Sequence, residues 1–173
     1  TDGEIRRLII NIPPRCAKSS LTSVAFPAWT WAQSRSSPTS GPGVQFLCAG
    51  YALNLSLQDS VKCRNLIQSD WYQARWGDRV QITKDQNQKT KFELTSTGFR
   101  QAVAAGSITG ARGDRVIIDD PHSVEGANSD QQRASTLEWF LEAVPTRLNK
   151  PLESAIVVIM QRLHEEDVSG VIL

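Results

Sequence analysis

Four short apolar runs constrain the fold more than any other feature of this chain. Residues 8–12, 44–50, 116–118 and 155–160 are nearly free of polar side chains and show almost no alternation. A strand with one wet face alternates, whereas a near-continuous run needs cover on both faces. The segments between the runs carry helical spacing. Leu21, Val24, Ala25, Ala28 and Ala32 recur on one face of a helix expected over residues 18–32, with Pro27 kinking or breaking it. A second helix is expected over 53–68. Ser129 with Gln132 reads as a capping box. The helix it opens carries Ala134, Leu137, Leu141 and Val144 on one stripe and is bounded by Pro145 and Pro151. Covered strands alternating with helices specify an α/β fold: a mostly parallel central sheet with helices on both faces.

The remaining segments are less regular. Residues 34–43 read as a Ser/Pro/Gly surface loop, and 71–77 as aromatic and irregular. Residues 80–83 and 91–95 alternate around a polar stretch at 85–89, which predicts a hairpin with one exposed face. Residues 100–106 add a further strand. Residues 107–114 form a glycine-punctuated loop. His164-Glu-Glu-Asp opens a last helix, its acids placed at the positive end of the dipole.

Composition narrows the class. At 173 residues the chain is one ordinary domain, long enough to bury about two-thirds of its unfolded surface. No apolar run approaches the ~20 residues that span a bilayer, so no membrane partner is expected, and no signal peptide is visible. A net charge of +1 argues against a strongly basic nucleic-acid binder. Cys16, Cys48 and Cys63 are odd in number and lack C-x-x-C spacing, which speaks against a disulfide framework or a zinc site and for a reducing compartment. His122 and His164 read as loop and helix-start residues rather than ligands. Of the five tryptophans, most read as core or loop anchors, with base stacking by Trp71 or Tyr72 as the rival.

Chemistry gathers at the strand ends. The first apolar run stops at Pro13-Pro14, and Arg15, Cys16, Ala17, Lys18, Ser19 and Ser20 lead into a helix. Strand, loop, Lys-Ser, helix is the layout that holds nucleotide phosphates. The backbone N–H groups of residues 15–20 cradle the anion, Lys18 reaches the outer phosphates, and Ser19 supplies a hydroxyl to Mg²⁺. Ala17 stands where a glycine is usual, at a cost of roughly 1 kcal/mol if the position needs φ > 0. Asp119-Asp120 ends the third run. Asp119 suits the metal, and Asp120 suits the attacking water. Gln161 ends the fourth run and suits contact with the γ-phosphate or its water. Arg15 can reach the γ-phosphate, and Arg112 lies on a loop that could face a neighbouring subunit. Arg115 and Arg147 read as structural. Ligands of open α/β sheets bind beyond the carboxyl ends of the strands, so Asn11, Asp119 and Gln161 are expected to converge on one crevice.

Together these motifs resemble the ATPase domain of the large terminase subunit, the DNA-packaging motor of tailed bacteriophages and their prophages. The resemblance rests on Asn11-Ile-Pro-Pro-Arg-Cys-Ala-Lys-Ser19, Thr109-Gly-Ala-Arg-Gly113, Ile117-Ile-Asp-Asp-Pro-His122 with Ala127-Asn-Ser129, and Met160-Gln-Arg-Leu-His-Glu-Glu-Asp-Val-Ser-Gly170. It implies a P-loop NTPase three-layer sandwich over residues 1–173, a fragment, lacking the family's nuclease domain, of a longer chain. It implies hydrolysis of ATP with Mg²⁺ and translocation of double-stranded DNA into a procapsid in the bacterial host cytoplasm. Its partners would be a portal protein, a small terminase subunit and further copies of itself in a ring. Residue by residue, Lys18 and Ser19 match the phosphate lysine and the metal hydroxyl. Arg15 matches the loop arginine, Asp119 and Asp120 the metal and catalytic acids, Gln161 the coupling position, and Arg112 the arginine acting in trans. Cys16 and Ala17 depart from the family's frequent His-Gly. Two other readings stand beside this one: another nucleic-acid-dependent ATPase such as a helicase, and a degenerate, non-catalytic nucleotide-binding module.

Overall fold

A computed structural model describes residues 4–34, 39–106 and 110–173. Its centre is one seven-stranded sheet. The strands are β1 (Arg7–Asn11), β2 (Gln45–Gly50), β3 (Ile82–Asn87), β4 (Lys91–Leu94), β5 (Phe99–Ala104), β6 (Arg115–Asp119) and β7 (Ala155–Met160), in the spatial order β1-β7-β6-β2-β5-β4-β3. The five strands from β1 to β5 in that order run parallel, while β4 and β3 extend the sheet antiparallel as a hairpin. The architecture is thus the expected α/β sandwich of the P-loop type.

The period of two along each strand divides the core. Phe46, Cys48, Ile117, Val157 and Ile159 pack on one face. They meet α1 (Phe26–Ala32), α2 (Leu53–Gln68) and α3 (Asp70–Trp76) through Trp31, Cys63, Ile67 and Tyr72. Leu47, Ala49, Val116, Ile118, Ile156, Val158 and Met160 pack on the other, against Trp139, Val144 and Val168. That second layer comprises α4 (Val124–Asn128), α5 (Asp130–Glu138) and α6 (Val168–Ile172) with the turns between them. Trp31 joins first-layer helix to sheet: its ring meets Phe46 edge-on at 5.3 Å and its indole N–H donates to Val44 O at 2.8 Å. Each fully buried large side chain of this kind contributes roughly 1.5–3 kcal/mol. Among the described residues no helix is long and apolar enough to cross a membrane.

Several expectations need correction. β1 is partly exposed because it pairs only with β7 and forms an edge of the sheet. The first helix starts at Lys18 but is π-helical over Ser20–Ala25 before α1. Pro27 has no N–H for the bond an α-turn requires, and the chain widens just ahead of it. Residues 71–77 are not irregular, since Ser69 caps α3 by accepting from Tyr72 N. The stripe from Ala134 to Val144 is interrupted by a second π-helical stretch, Trp139–Ala143, which rotates Leu141 outward and Trp139 inward. The last helix begins only at Val168. Its cap is Asp167, which is buried and accepts from Gly170 N at 2.9 Å. Burial would raise the Asp167 carboxyl. The N–H groups of Leu163, Gly170 and His164 outweigh it and hold that carboxyl below the usual range. In the loop at 34–43, Thr39, Gly41 and Pro42 are buried rather than on the surface; residues 35–38 lie outside the described residues.

Gly98 sits at the β4–β5 turn, where a side-chain carbon would collide with the main-chain oxygens of Pro42 and Val44. Gly98→Ala is therefore expected to cost roughly 1–3 kcal/mol, read as a lower urea midpoint by tryptophan fluorescence. An unchanged midpoint would show that the turn yields freely.

Candidate functional site

The loop after β1 is shaped by backbone conformation. Ile12 N donates to Met160 O at 3.1 Å, which seats the loop's start beside the end of β7. Pro13 and Pro14 have no N–H, so donors begin at Arg15, and Pro14 contributes only its fixed φ. Arg15 and Ala17 both adopt left-handed backbone, with φ of 65° and 56°, and Cys16 between them does not. Alternation of this kind turns successive N–H groups toward one concavity, a shape that takes anions. Ala17 thus occupies a position that favours glycine. Leu21 N donates to Ala17 O at 3.0 Å, closing the first turn of the helix that begins at Lys18. Cys16 and Ser20 are exposed, whereas Lys18 and Ser19 are half-buried.

The two acids do different things. Asp119 ends β6. Its Oδ2 accepts from Ser23 Oγ at 3.0 Å, while its Oδ1 is buried and has no partner among the described residues. Burial pushes its carboxyl up from the ordinary value of 3.8, the Ser19 and Ser23 hydroxyls pull it back, and Asp120 and Asp59 push it further up. Asp120 follows with left-handed backbone, φ of 46°, and lines the same cavity as Asp119. Its Oδ1 accepts from Lys18 Nζ at 2.6 Å and from Gln161 N at 3.2 Å, and its own N–H donates to Ile159 O at 2.8 Å. The ends of β1, β7 and β6 lie side by side at one end of the sheet, and the Gln161 N–H joins Asp120 in one cluster, but the three ends do not share one crevice: Asn11 and Gln161 line a separate pocket from Asp119 and Asp120. The Lys18 ammonium pairs with Asp120 and not with Asp119.

A cavity of ≈180 Å³ opens beside this cluster, and Ser19, Ser23, Asp59, Arg100, Asp119 and Asp120 are among its walls. These groups fit a magnesium ion that arrives with a phosphate. The unpartnered Asp119 oxygen and the Ser19 hydroxyl are hard oxygen donors. No cluster of three metal-ligating His, Cys, Asp or Glu side chains occurs among the described residues, so water and phosphate oxygens would complete the shell.

Other candidates fall elsewhere. Arg112 is exposed and precedes β6, at the opposite end of that strand from Asp119. Thr109 of the same motif lies outside the described residues, as do residues 107 and 108. Tyr72 is buried with its hydroxyl donating to Ala28 O at 2.7 Å, which removes it from base stacking; Trp71 is exposed with Arg75 4.6 Å above its ring. Arg115 is structural as expected, donating to Thr39 O at 2.9 Å. His164 accepts from Glu166 N and secures a local turn, whereas His122 accepts from Val168 N and ties the segment after β6 to the start of α6. Sequence reasoning missed Ser23, Asp59 and Arg100. Ser23 had a signal in its spacing, one helical turn after Ser19. An arginine amid the apolar residues of β5 was the signal for Arg100.

No family model matches the chain, and no curated protein matches it either. Among solved structures it is similar to the large terminase of bacteriophage HK97, with a TM-score of 0.59 and 17% identity. That match covers 96% of this chain and 32% of the HK97 chain, so the present chain spans about a third of that protein's length. At this identity the likeness establishes a shared fold: the α/β sandwich described above is a terminase-like one.

Two measurements probe the site without any ligand. Ala17→Gly removes the side-chain clash at positive φ and is expected to stabilise the protein by up to about 1 kcal/mol, seen as a higher thermal midpoint. Because the folded Asp119 carboxyl lies above its unfolded value of 3.8, ionising it opposes folding as pH rises through the folded value. In metal-free buffer at neutral pH, Asp119→Asn should therefore melt above the parent, and the gap should close as acid protonates Asp119. A gap that is absent or reversed would contradict the burial argument.

Proposed function

We propose that this chain is an ATP-hydrolysing motor domain that uses Mg²⁺ and drives double-stranded DNA into a viral procapsid. The observation that carries the reading is the joining of Lys18, Asp120 and the Gln161 N–H at one sheet edge, beside the free Asp119 oxygen. The terminase-like fold supports it.

The chemistry would run as follows. N–H groups from Arg15 to Ser20 bind the phosphates, and Lys18 neutralises the outermost one. Asp119 and Ser19 would hold the metal ion, which would supply positive charge against the phosphoryl oxygens. In the present geometry Asp120 is occupied by Lys18. A γ-phosphate that draws the ammonium to itself leaves the Asp120 carboxylate free to orient the attacking water. Gln161 shares Asp120 through its main chain, so it registers that exchange. Arg15 sits in the loop itself. Arg112, at the far end of β6, serves a neighbouring copy's nucleotide, which calls for a ring of subunits with portal protein and small terminase subunit as further partners.

One observation favours a second reading. Ala17 at φ 56° carries a strain that a working phosphate loop usually avoids with glycine, and a weakened loop suits a non-catalytic nucleotide binder. Phosphate release under steady-state conditions separates the two. Lys18→Ala is expected to lower the Mg²⁺-dependent rate by about 10²-fold or more. A variant as active as the parent refutes the catalytic assignment, and nucleotide binding without turnover in the parent selects the second reading.

A further inference from the structure

We propose that Arg100 is a positioning residue of the metal site, holding Asp119 in place through Ser23; this rests on the nucleotide-site reading above. Arg100 lies in β5, two strands from Asp119 in the sheet, and is wholly buried. Its Nε donates to Ser23 O at 3.3 Å and its Nη1 to Ser56 O of α2 at 3.4 Å. Its Nη2 has no partner among the described residues, and no carboxylate pairs with the guanidinium.

The carbonyl it takes is a particular one. In a regular helix Ser23 O would accept from the N–H four residues on, which is position 27, and Pro27 has none. Arg100 supplies a donor there. Ser23 sits within the π-helical stretch, and the same residue's hydroxyl donates to Asp119 Oδ2. π-turns of this kind concentrate at functional sites because they re-aim side chains. The result is a continuous chain of bonds from Arg100 to the Ser23 backbone, and from the Ser23 hydroxyl to Asp119. It leaves Asp119 Oδ1 buried without a hydrogen-bond partner, on a residue that shares the cavity wall with Arg100.

Stability alone does not account for such a residue. A buried guanidinium without a carboxylate bears a desolvation cost, and an apolar side chain of similar volume in its place is often neutral or stabilising. A merely structural Arg100 and a positioning Arg100 thus predict opposite results for Arg100→Met. The test compares parent, Arg100→Met, Arg100→Lys, Ser23→Ala and the Arg100→Met/Ser23→Ala double variant. Each is measured for its thermal midpoint in metal-free buffer and for the Mg²⁺ concentration that supports half-maximal binding of a fluorescent ATP analogue. The expected result for Arg100→Met is a midpoint at or above the parent's, with roughly tenfold more Mg²⁺ required. Ser23→Ala should show a similar shift in Mg²⁺ requirement, and the double variant less than the sum of the two. Arg100→Lys keeps the charge but loses the fork, so it should also need more Mg²⁺, and it carries the test if the methionine variant does not fold. An unchanged Mg²⁺ requirement in the folded Arg100 variants overturns the inference and leaves the nucleotide-site reading intact. A parent that binds no ATP analogue at any Mg²⁺ concentration overturns both.

Discussion

The site depends on one costly placement: a carboxylate, Asp119, at the end of a strand whose other residues are nearly all apolar. Burial raises its carboxyl, and the neighbouring Asp120 adds repulsion. Successive residues of a strand point to opposite faces, so two adjacent acids would ordinarily part company. The left-handed backbone of Asp120 prevents that separation. Both acids line the same cavity, yet each has its own partners: serine hydroxyls for Asp119, and Lys18 with the Gln161 N–H for Asp120. An arrangement that keeps two carboxylates together but only one of them neutralised is disposed to receive a cation.

Much of this was legible in the chain because it follows from pattern. Near-continuous apolar runs called for strands covered on both faces, and residues 44–50 and 155–160 proved to be the interior strands β2 and β7. Parallel strands place their carboxyl ends together, which is why Asn11, Asp119 and Gln161 could be assigned to one edge before any coordinates. What pattern does not carry is phase within a helix and the contacts of a lone polar residue. A π-turn adds one residue to a turn and rotates everything beyond it, so Leu141, in step with Leu137 by the 3.6-residue rule, faces solvent. The first run was legible as a strand but not as an edge, since edge position depends on which strands lie beside it. Arg100 stood out only as an arginine in an apolar strand, because its contacts are with residues far away in sequence, Ser23 and Ser56. The pairing of Lys18 with Asp120 rather than Asp119 depends on the φ of a single residue.

Local rules are broken mostly at this edge of the molecule. Arg15, Ala17 and Asp120 carry three of the four positive φ values among described non-glycine residues, the fourth being Thr97 in the β4–β5 turn. The first π-turn, the unpartnered Asp119 oxygen and the unpartnered Arg100 nitrogen lie around the same cavity. Elsewhere the departures are fewer, a register shift between β3 and β4 and the second π-helical stretch, while α3, α4, α5 and α6 are conventionally capped at Ser69, Ser123, Ser129 and Asp167. Strain confined to one place while the scaffold remains regular is the distribution expected when a site, rather than the fold, demands the unfavourable conformations.

The same edge is bonded to the last helix by several routes. Asn11, at the end of β1, exchanges hydrogen bonds with Ser169. His122, two residues after Asp120, accepts from Val168 N at the start of α6. Gln161, bound to Asp120, leads into the turn whose Leu163 and His164 N–H groups are held by the capping carboxylate of Asp167. The Asn11 and His122 bonds end on α6, and the Leu163 and His164 bonds end on its cap. Asp120 carries both the Lys18 ion pair and the Gln161 main-chain bond, so a loss of that ion pair would change the charge at the carboxylate to which Gln161 is bound. Contiguous bonded contacts of this kind are a physical requirement for transmitting a local change, though a pathway needs measured coupling as well. Here the shortest connection from the acids to α6 runs along the chain from Asp120 to His122 and across its bond to Val168 N, and a second runs through the Gln161 N–H and then along residues 161–167.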